Sequence, residues 1–189
     1  MPEPGENPFF LAFGWFQAYS YERNWARALE IAESIDTSSP ITRMSRAYCS
    51  GVAQKELGDA ATSQASLDEA ASICRDILAA SPGNSLIRGL LGSIYSELGR
   101  GAEAIQEMKL AVDLTSRDLY EGPESLENLA FAYGKARRTD EALDLIDRLL
   151  SMNYANPLPV HDLKLNPRWD PLRVEPRFKE ILAKHEKAL

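Results

Sequence analysis

Apolar residues along this chain recur at steps of three and four, the spacing of one face of an α-helix. The clearest run goes from Leu91 through Tyr95 to Leu98, and a second one goes from Ala104 to Ala111. A short link containing two glycines separates the two runs. The pattern predicts two helices that face each other as a hairpin.

Two glycines in this region have positions that favour such a hairpin. Gly92 lies on the packing face of the first predicted helix, where the absence of a side chain lets the second helix approach closely. Gly99 lies at the end of the same helix and is free to adopt a positive φ angle. We therefore expect a tight turn at residues 98–101.

The spacing of prolines indicates that the hairpin is repeated. Pro40, Pro82 and Pro123 are 42 and 41 residues apart, and proline is tolerated in the first turn of a helix but disrupts its interior. Boundaries about every 40 residues are typical of stacked helical hairpins. The composition agrees, because 24 Ala and 24 Leu stand against only 4 Val and 5 Thr.

The unit around Leu91 resembles the tetratricopeptide (TPR) repeat, in which Leu-Gly, Tyr and Ala recur at fixed spacing. Three further segments carry parts of the same pattern, and the alanines that anchor the second helices are 42, 34 and 38 residues apart. The matching residues are Trp15, Phe16, Tyr19, Ala28 and Ala32; Ala47, Gly51, Leu57, Gly58, Ala70 and Cys74; Leu91, Gly92, Tyr95, Leu98, Ala104, Met108 and Ala111; and Leu126, Leu129, Ala130, Tyr133, Ala142 and Ile146.

The resemblance implies an all-α fold, a right-handed α-solenoid of about four TPR-like hairpins with a C-terminal capping helix. We expect an N-terminal arm at 1–8, repeats over 9–156 and a proline-rich cap with a final helix at 157–189. The four repeats are predicted at 9–40, 41–82, 83–121 and 122–156. Another array of antiparallel helices would show similar periodicity, so that alternative stays open at this point.

The segment from Asp162 to Leu182 resembles the closing segment of TPR arrays in bacterial signalling proteins, including serine/threonine kinases and winged-helix regulators. Pro167 and Pro176 are each predicted to start a short helix after a polar residue, Asn166 or Glu175. A solenoid needs such a cap over its open apolar end. The expected covering residues are Trp169, Leu172, Phe178, Ile181 and Leu182.

In TPR stacks the first helix of each hairpin lines a concave groove, which implies a peptide-binding function. Helical spacing places a set of residues one step off the packing face: Phe13, Gln17 and Tyr21; Tyr48, Val52 and Lys55; Gly89, Ser93 and Ser96; and Glu127, Phe131 and Lys135. These positions are mostly aromatic, small or acidic, which does not support a basic clamp for a terminal carboxylate. A solvated surface without a ligand is the alternative interpretation.

Charge and hydropathy narrow the class of partner. The net charge of −7 disfavours nucleic acid and anionic membranes as main partners, and residues 1–40 alone carry net −4. The apolar run from Pro8 to Phe16 is too short to span a membrane. As the outermost helix it should be covered by residues 1–7 or by a second copy of the chain. No basic leader precedes it, so we expect a cytoplasmic location.

No residue set in the sequence indicates catalysis or a cofactor. His161 is expected in a loop or short helix and His185 on an exposed last helix, with no cluster at metal-ligand spacing. Cys49 and Cys74 are expected as small buried apolar residues, with a disulfide as the alternative. Acidic pairs such as Asp68-Glu69, Asp140-Glu141 and Asp144/Asp147 suit helix starts and a solvated face.

The sequence therefore predicts a non-enzymatic scaffold that binds a protein or peptide segment. A regulatory or dimerisation arm of a bacterial signalling or transcription-regulating system is the alternative that the C-terminal resemblance implies.

Overall fold

The computed structural model describes residues 8–152 and 158–186, and in that part of the chain the regular structure is helical throughout. Eight helices pair as hairpins, and three more follow, with a 3₁₀ turn at Pro167–Trp169. They are α1 Pro8–Tyr21, α2 Trp25–Ser34, α3 Pro40–Glu56, α4 Ala60–Ala80, α5 Ser85–Glu97, α6 Gly101–Thr115, α7 Glu121–Lys135, α8 Thr139–Ser151, α9 Val160–Leu165, α10 Asp170–Arg173 and α11 Pro176–Glu186. The expected all-α fold is confirmed.

The helices form two compact units, and the boundary falls after Ile77, inside α4. In the first unit, α1 packs on α2 and α2 packs on α3. The fully buried side chains of Ala28 and Ala32 let α2 sit close to both neighbours. Phe16 is buried in the same cluster, as expected for a packing residue of the first hairpin.

Trp15 departs from the expected packing of the first hairpin. Its side chain is 57% exposed, and its ring stacks on that of Tyr19 at a centroid distance of 6.1 Å. The equivalent residue of the third hairpin, Leu91, is buried. The physical reason is position in the chain, because no hairpin precedes α1 among the described residues to cover this side of it.

Small residues control how closely the helices of the second hairpin approach. A Cβ atom on Gly51 would lie 2.7 Å from Cγ of Leu67 on α4, so only glycine fits there. Ser63 Oγ donates a hydrogen bond of 2.7 Å to the Gly51 carbonyl. Farther along, Cys74 Sγ lies 3.2 Å from Met44 Sδ. Close contacts thus join α3 and α4 at Gly51 and at Cys74.

In the second unit, the third hairpin also has a glycine where its two helices approach closely. A Cβ atom on Gly92 would lie 2.5 Å from Met108 Cγ and 3.1 Å from the Ala104 carbonyl oxygen on α6. The predicted close approach at Gly92 is confirmed. Next to the hairpin turns, a Cβ on Gly101 would lie 3.0 Å from Ala136 Cβ, so the third and fourth hairpins also touch there.

All four hairpin turns use one backbone geometry. The second residue after the helix end has a positive φ, its N–H donates to the carbonyl three residues earlier, and the next N–H donates to the carbonyl five residues earlier. The residues with positive φ are Arg23 (59°), Gly58 (87°), Gly99 (73°) and Arg137 (60°). The expected φ at Gly99 is confirmed, whereas arginine in the two outer turns was not anticipated.

The C-terminal segment covers the last hairpin as predicted. Trp169, Leu172 and Phe178 are fully or almost fully buried. The indole Nε1 of Trp169 donates a hydrogen bond of 3.0 Å to Asp162 Oδ2, which satisfies its polar atom inside the apolar cluster. Gly134 on α7 leaves room for Leu172, whose Cγ would lie 3.4 Å from a Cβ at that position.

Ion pairs between α8 and α11 help to hold α11 in place, and they correct the expectation for His185. His185 is not on an exposed surface, because only 12% of its side chain is accessible and its Nε2 lies 2.8 Å from Asp147 Oδ1. Lys184 Nζ also donates to Asp147, at 2.8 Å, and Arg177 pairs with Asp144. These hydrogen bonds hold the pKa of Asp147 below its ordinary value.

Some of the acidic residues therefore bind a later helix instead of facing solvent near a helix start. Asp144 and Asp147 lie inside α8 and bind α11, and the pair Asp68-Glu69 lies in the middle of α4. The pair Asp140-Glu141 does lie in the first turn of α8, as expected. Helical spacing alone could not distinguish a solvated carboxylate from one that binds a later helix.

Candidate interaction site

The first helices of the third and fourth hairpins, α5 and α7, pack side by side in the second unit. We call the surface that they share the α5–α7 face. It is formed by Leu86, Gly89, Ser93 and Ser96 on α5 and by Glu127, Asn128, Phe131 and Lys135 on α7. The α5 set follows helical steps of three and four, and on α7 both Glu127 and Asn128 lie one turn before Phe131, so each set lies along one side of its helix. The face includes six of the residues that the sequence predicts for a groove, together with Leu86 and Asn128.

The α5 side of the face is low because its residues are small. A Cβ on Gly89 would meet only Asn128 Nδ2, at 3.7 Å, so space remains above this glycine. Ser93 and Ser96 are buried, and Ser96 Oγ donates to the Gly92 carbonyl at 2.9 Å. Leu86, at the N-terminal end of the same stripe, is 62% exposed. The α5 side thus offers a narrow polar floor with an apolar side chain at one end.

Ion pairs and hydrogen bonds join α5 to α7 across the face. Lys135 Nζ lies 2.9 Å from Glu97 Oε1 and 5.6 Å from the ring centroid of Phe131. At the other end, Ser85 Oγ donates to Glu121 Oε2 at 3.1 Å. The carboxylate of Glu97 is almost fully buried, so removal of its partner would leave a desolvated charge. These contacts fix the spacing of the two helices.

An arginine from the C-terminal segment covers the α7 side of the face. The guanidinium of Arg168 lies 4.5 Å from the ring centroid of Phe131, 3.3 Å from Glu127 Oε1 and 3.1 Å from Asn128 Oδ1. It also lies 5.0 Å from the ring of Trp169, so the cation has aromatic rings and a carboxylate as neighbours. Burial raises the pKa of Glu127, and the Arg168 charge partly opposes that rise.

The predicted groove residues of the second unit therefore differ in how much of each side chain is exposed to solvent. Phe131 is 3% exposed because Arg168 and Lys135 lie over its ring. Glu127 and Lys135 retain about a fifth of their side-chain exposure while paired. Phe131 thus supports the face from beneath, and the polar ends of Arg168, Glu127 and Lys135 form its surface.

The groove residues predicted in the first unit lie on α1 and α3. Phe13, Tyr48 and Val52 are partly buried and pack on the core cluster around Phe16, so part of each side chain belongs to the core. Gln17 and Lys55 are exposed, and Tyr21 is half-buried. The structure thus brings an aromatic set together in the first unit, with polar residues beside it.

Arg168 is the functional candidate that sequence reasoning did not assign. The sequence pattern predicted a helix start at Pro167 and a capping side chain at Trp169. Arg168, between them, belongs to no repeating apolar or polar pattern. No local signal marked it, because its partners Glu127 and Phe131 lie 41 and 37 residues earlier in the chain.

The two cysteines, Cys49 and Cys74, are buried and both are free thiols, so the alternative of a disulfide is not realised. Burial raises the pKa of each thiol to about 12, which keeps both protonated at neutral pH. Within 8–152 and 158–186, no three His, Cys, Asp or Glu side chains gather as a metal-binding group. Over the same ranges, none of the helices combines the length and apolarity needed to cross a bilayer.

Comparison with known proteins gives one match to a repeat family. A tetratricopeptide repeat family model matches residues 61–118, which include most of α4 and all of α5 and α6. No curated protein matches the chain.

Two similar solved structures are a Podosopora anserina kinesin light chain candidate with nearly identical TPR-like repeats and a glutamine-to-methionine variant of it. The first is 16% identical, with a TM-score of 0.50, and 96% of each chain is covered. The second is also 16% identical, with a TM-score of 0.51, covering 97% of this chain and 96% of the other. At this identity the likeness shows the fold, a helical-hairpin repeat solenoid.

Proposed function

We propose that this chain is a non-catalytic TPR-type scaffold that binds a protein segment on the first-helix sides of its hairpins. The tetratricopeptide fold is typically a protein-interaction module, and the match to residues 61–118 supports that role for this chain. The proposed contact residues in the first unit are Phe13, Gln17, Tyr21, Tyr48, Val52 and Lys55. In the second unit the α5–α7 face is the proposed site.

The observation that supports this proposal most is the shape of the α5–α7 face. Small residues at Gly89, Ser93 and Ser96 keep the α5 side low, while the side chain of Leu86 stands exposed at one end. Ion pairs hold the rest of the face in place without a ligand, so little ordering free energy would be lost on binding. Such a surface suits a peptide that packs one apolar side chain on Leu86 and hydrogen-bonds beyond it.

Substitution of Leu86 by glutamate tests this function. The change places a charge where we expect an apolar anchor, and Leu86 is exposed enough that folding should be unaffected. Peptides selected from a displayed library on the wild-type chain should bind the variant at least about tenfold more weakly, since burying an apolar side chain is worth about 1.5–3 kcal/mol. Isothermal titration calorimetry of the selected peptides measures the difference.

Leu114→Glu is the matched control, because Leu114 is 51% exposed and lies on α6, outside the proposed face. It should leave peptide affinity unchanged. The proposed site would be wrong if both substitutions weakened binding equally, or if no library peptide bound the wild-type chain at micromolar concentration.

A second candidate function is self-association through α1, which would fit a dimerisation arm of a signalling or transcription-regulating system. The exposed indole of Trp15, stacked on Tyr19, favours it. Sedimentation equilibrium at tens of micromolar should give a dimer for the wild-type chain and a monomer for Trp15→Ser. A wild-type monomer at that concentration would contradict this function and leave peptide binding untouched.

A further inference from the structure

We propose a second binding site, for an acidic peptide segment, in a cleft between the hairpin turns α5–α6 and α7–α8. The cleft has a volume of about 450 Å³, and its walls include Gly99 and Gly101 from one turn and Lys135, Arg137 and Arg138 from the other. That volume is within the ordinary range of ligand sites. The site goes beyond the proposed function, because it lies at the ends of the hairpins and shares only Lys135 with the α5–α7 face.

The charges of the cleft favour an anion. Three of its lining residues are cations, and none of the lining residues is acidic. Lys135 pairs with Glu97, and Arg138 pairs with Glu141 while lying 4.7 Å from the ring centroid of Tyr133. Arg137 has no carboxylate partner among the described residues, and its side chain is exposed. It is therefore the cation that a bound carboxylate would neutralise first.

The backbone of Arg137 gives an independent reason to assign a role to its side chain. Its φ of 60° is in the left-handed region, which costs a non-glycine residue roughly 1–2 kcal/mol. The same turn position is glycine in the second and third hairpins, at Gly58 and Gly99. An arginine there lowers stability while contributing no ion pair to the described fold, and strain of this kind is concentrated at functional sites.

The two turns approach closely at the base of the cleft. A Cβ on Gly101 would lie 3.0 Å from Ala136 Cβ, so only a small residue leaves space there. Helix α6 begins at Gly101, and its N-cap residue Arg100 donates a hydrogen bond of 2.7 Å to Glu103 Oε2 in the first turn.

The size and openness of the cleft favour a short peptide as the anion. The chain carries a net charge of −7, so a long polyanion such as nucleic acid would be repelled outside the cleft. A Glu or Asp side chain of such a peptide would contact Arg137 directly, while Lys135 and Arg138 keep their partners Glu97 and Glu141. The attraction is local and charge-based, so we expect it to weaken as the salt concentration rises.

The test uses the full chain, an N-acetylated tetraglutamate peptide and its tetraglutamine counterpart. Titration followed by NMR amide shifts should move the signals of residues 99–102 and 135–138 with the first peptide and not with the second. Arg137→Gly should weaken the tetraglutamate affinity about tenfold, the effect of losing one charge-assisted hydrogen bond. The same variant should melt about 2–4 °C higher, because the strain is removed.

Arg23→Gly is the matched control, since Arg23 has an equivalent φ of 59° in the first hairpin. It should leave the affinity for tetraglutamate unchanged. Equal binding of both peptides, or unchanged affinity in Arg137→Gly, would overturn the site, and so would binding of inorganic phosphate without the peptide. Leu86→Glu should not affect this titration, so failure of the α5–α7 face and failure of the cleft are distinguishable.

Discussion

Replacement of Trp169 by alanine should lower the free energy of unfolding by about 3–5 kcal/mol, the usual cost of truncating a large buried aromatic side chain. Its side chain is fully buried, so the variant leaves a cavity between the C-terminal segment and the last hairpin. It also removes the donor to Asp162 and leaves that carboxylate without the hydrogen bond. Urea unfolding followed by circular dichroism at 222 nm measures the loss.

Val174→Ala is the control for the same segment, because Val174 is 74% exposed. We expect it to change stability by less than about 0.5 kcal/mol. A Trp169→Ala variant as stable as the wild-type chain would mean that the C-terminal segment does not cap the fourth hairpin. The docking of Arg168 on the α5–α7 face would then lose its structural basis.

The second large effect is expected from Gly92→Ala. Alanine should favour an isolated helix by up to about 1 kcal/mol over glycine. In the folded chain, however, the new Cβ would lie 2.5 Å from Met108 Cγ and 3.1 Å from a backbone oxygen of α6. Overpacking of this kind typically costs about 1–3 kcal/mol, so the variant should be less stable than the wild-type chain. Thermal and urea unfolding both report the change.

Gly89→Ala provides an internal comparison on the same helix. Its Cβ would meet nothing closer than Asn128 Nδ2 at 3.7 Å, so it should gain the helix propensity without the clash. We expect Gly89→Ala to stabilise the chain by up to about 1 kcal/mol and Gly92→Ala to destabilise it. Equal effects of the two substitutions would show that α5 and α6 do not approach as closely as the fold requires.

The local structure of the hairpins was predictable because it depends on neighbours in sequence. Asn84, for example, caps α5 by accepting a hydrogen bond from the Ile87 N–H, and Ser39 and Thr42 form a capping box at the start of α3. Gly99 takes the positive φ expected of it. Each of these features rests on bonds that span three to five residues, so the sequence around them is sufficient.

The candidate site was predictable only in part. Periodicity placed Ser93, Ser96, Phe131 and Lys135 on the first-helix sides, which is where they lie. It could not show that Phe131 is buried, because the group that covers it, Arg168, is 37 residues later in the chain. A face assigned by helical spacing is exposed only if no other segment packs on it.

What the sequence alone determined is the helical hairpin, its turns and its packing glycines, since helical period, caps and turn residues act over a few neighbouring positions. What only the tertiary structure decided is which side chains remain available. The burial of Phe131 under Arg168, the pairing of Asp147 with His185 and the cleft beside Arg137 all join residues from different helices. Such contacts depend on packing at a distance along the chain, and no local pattern encodes them.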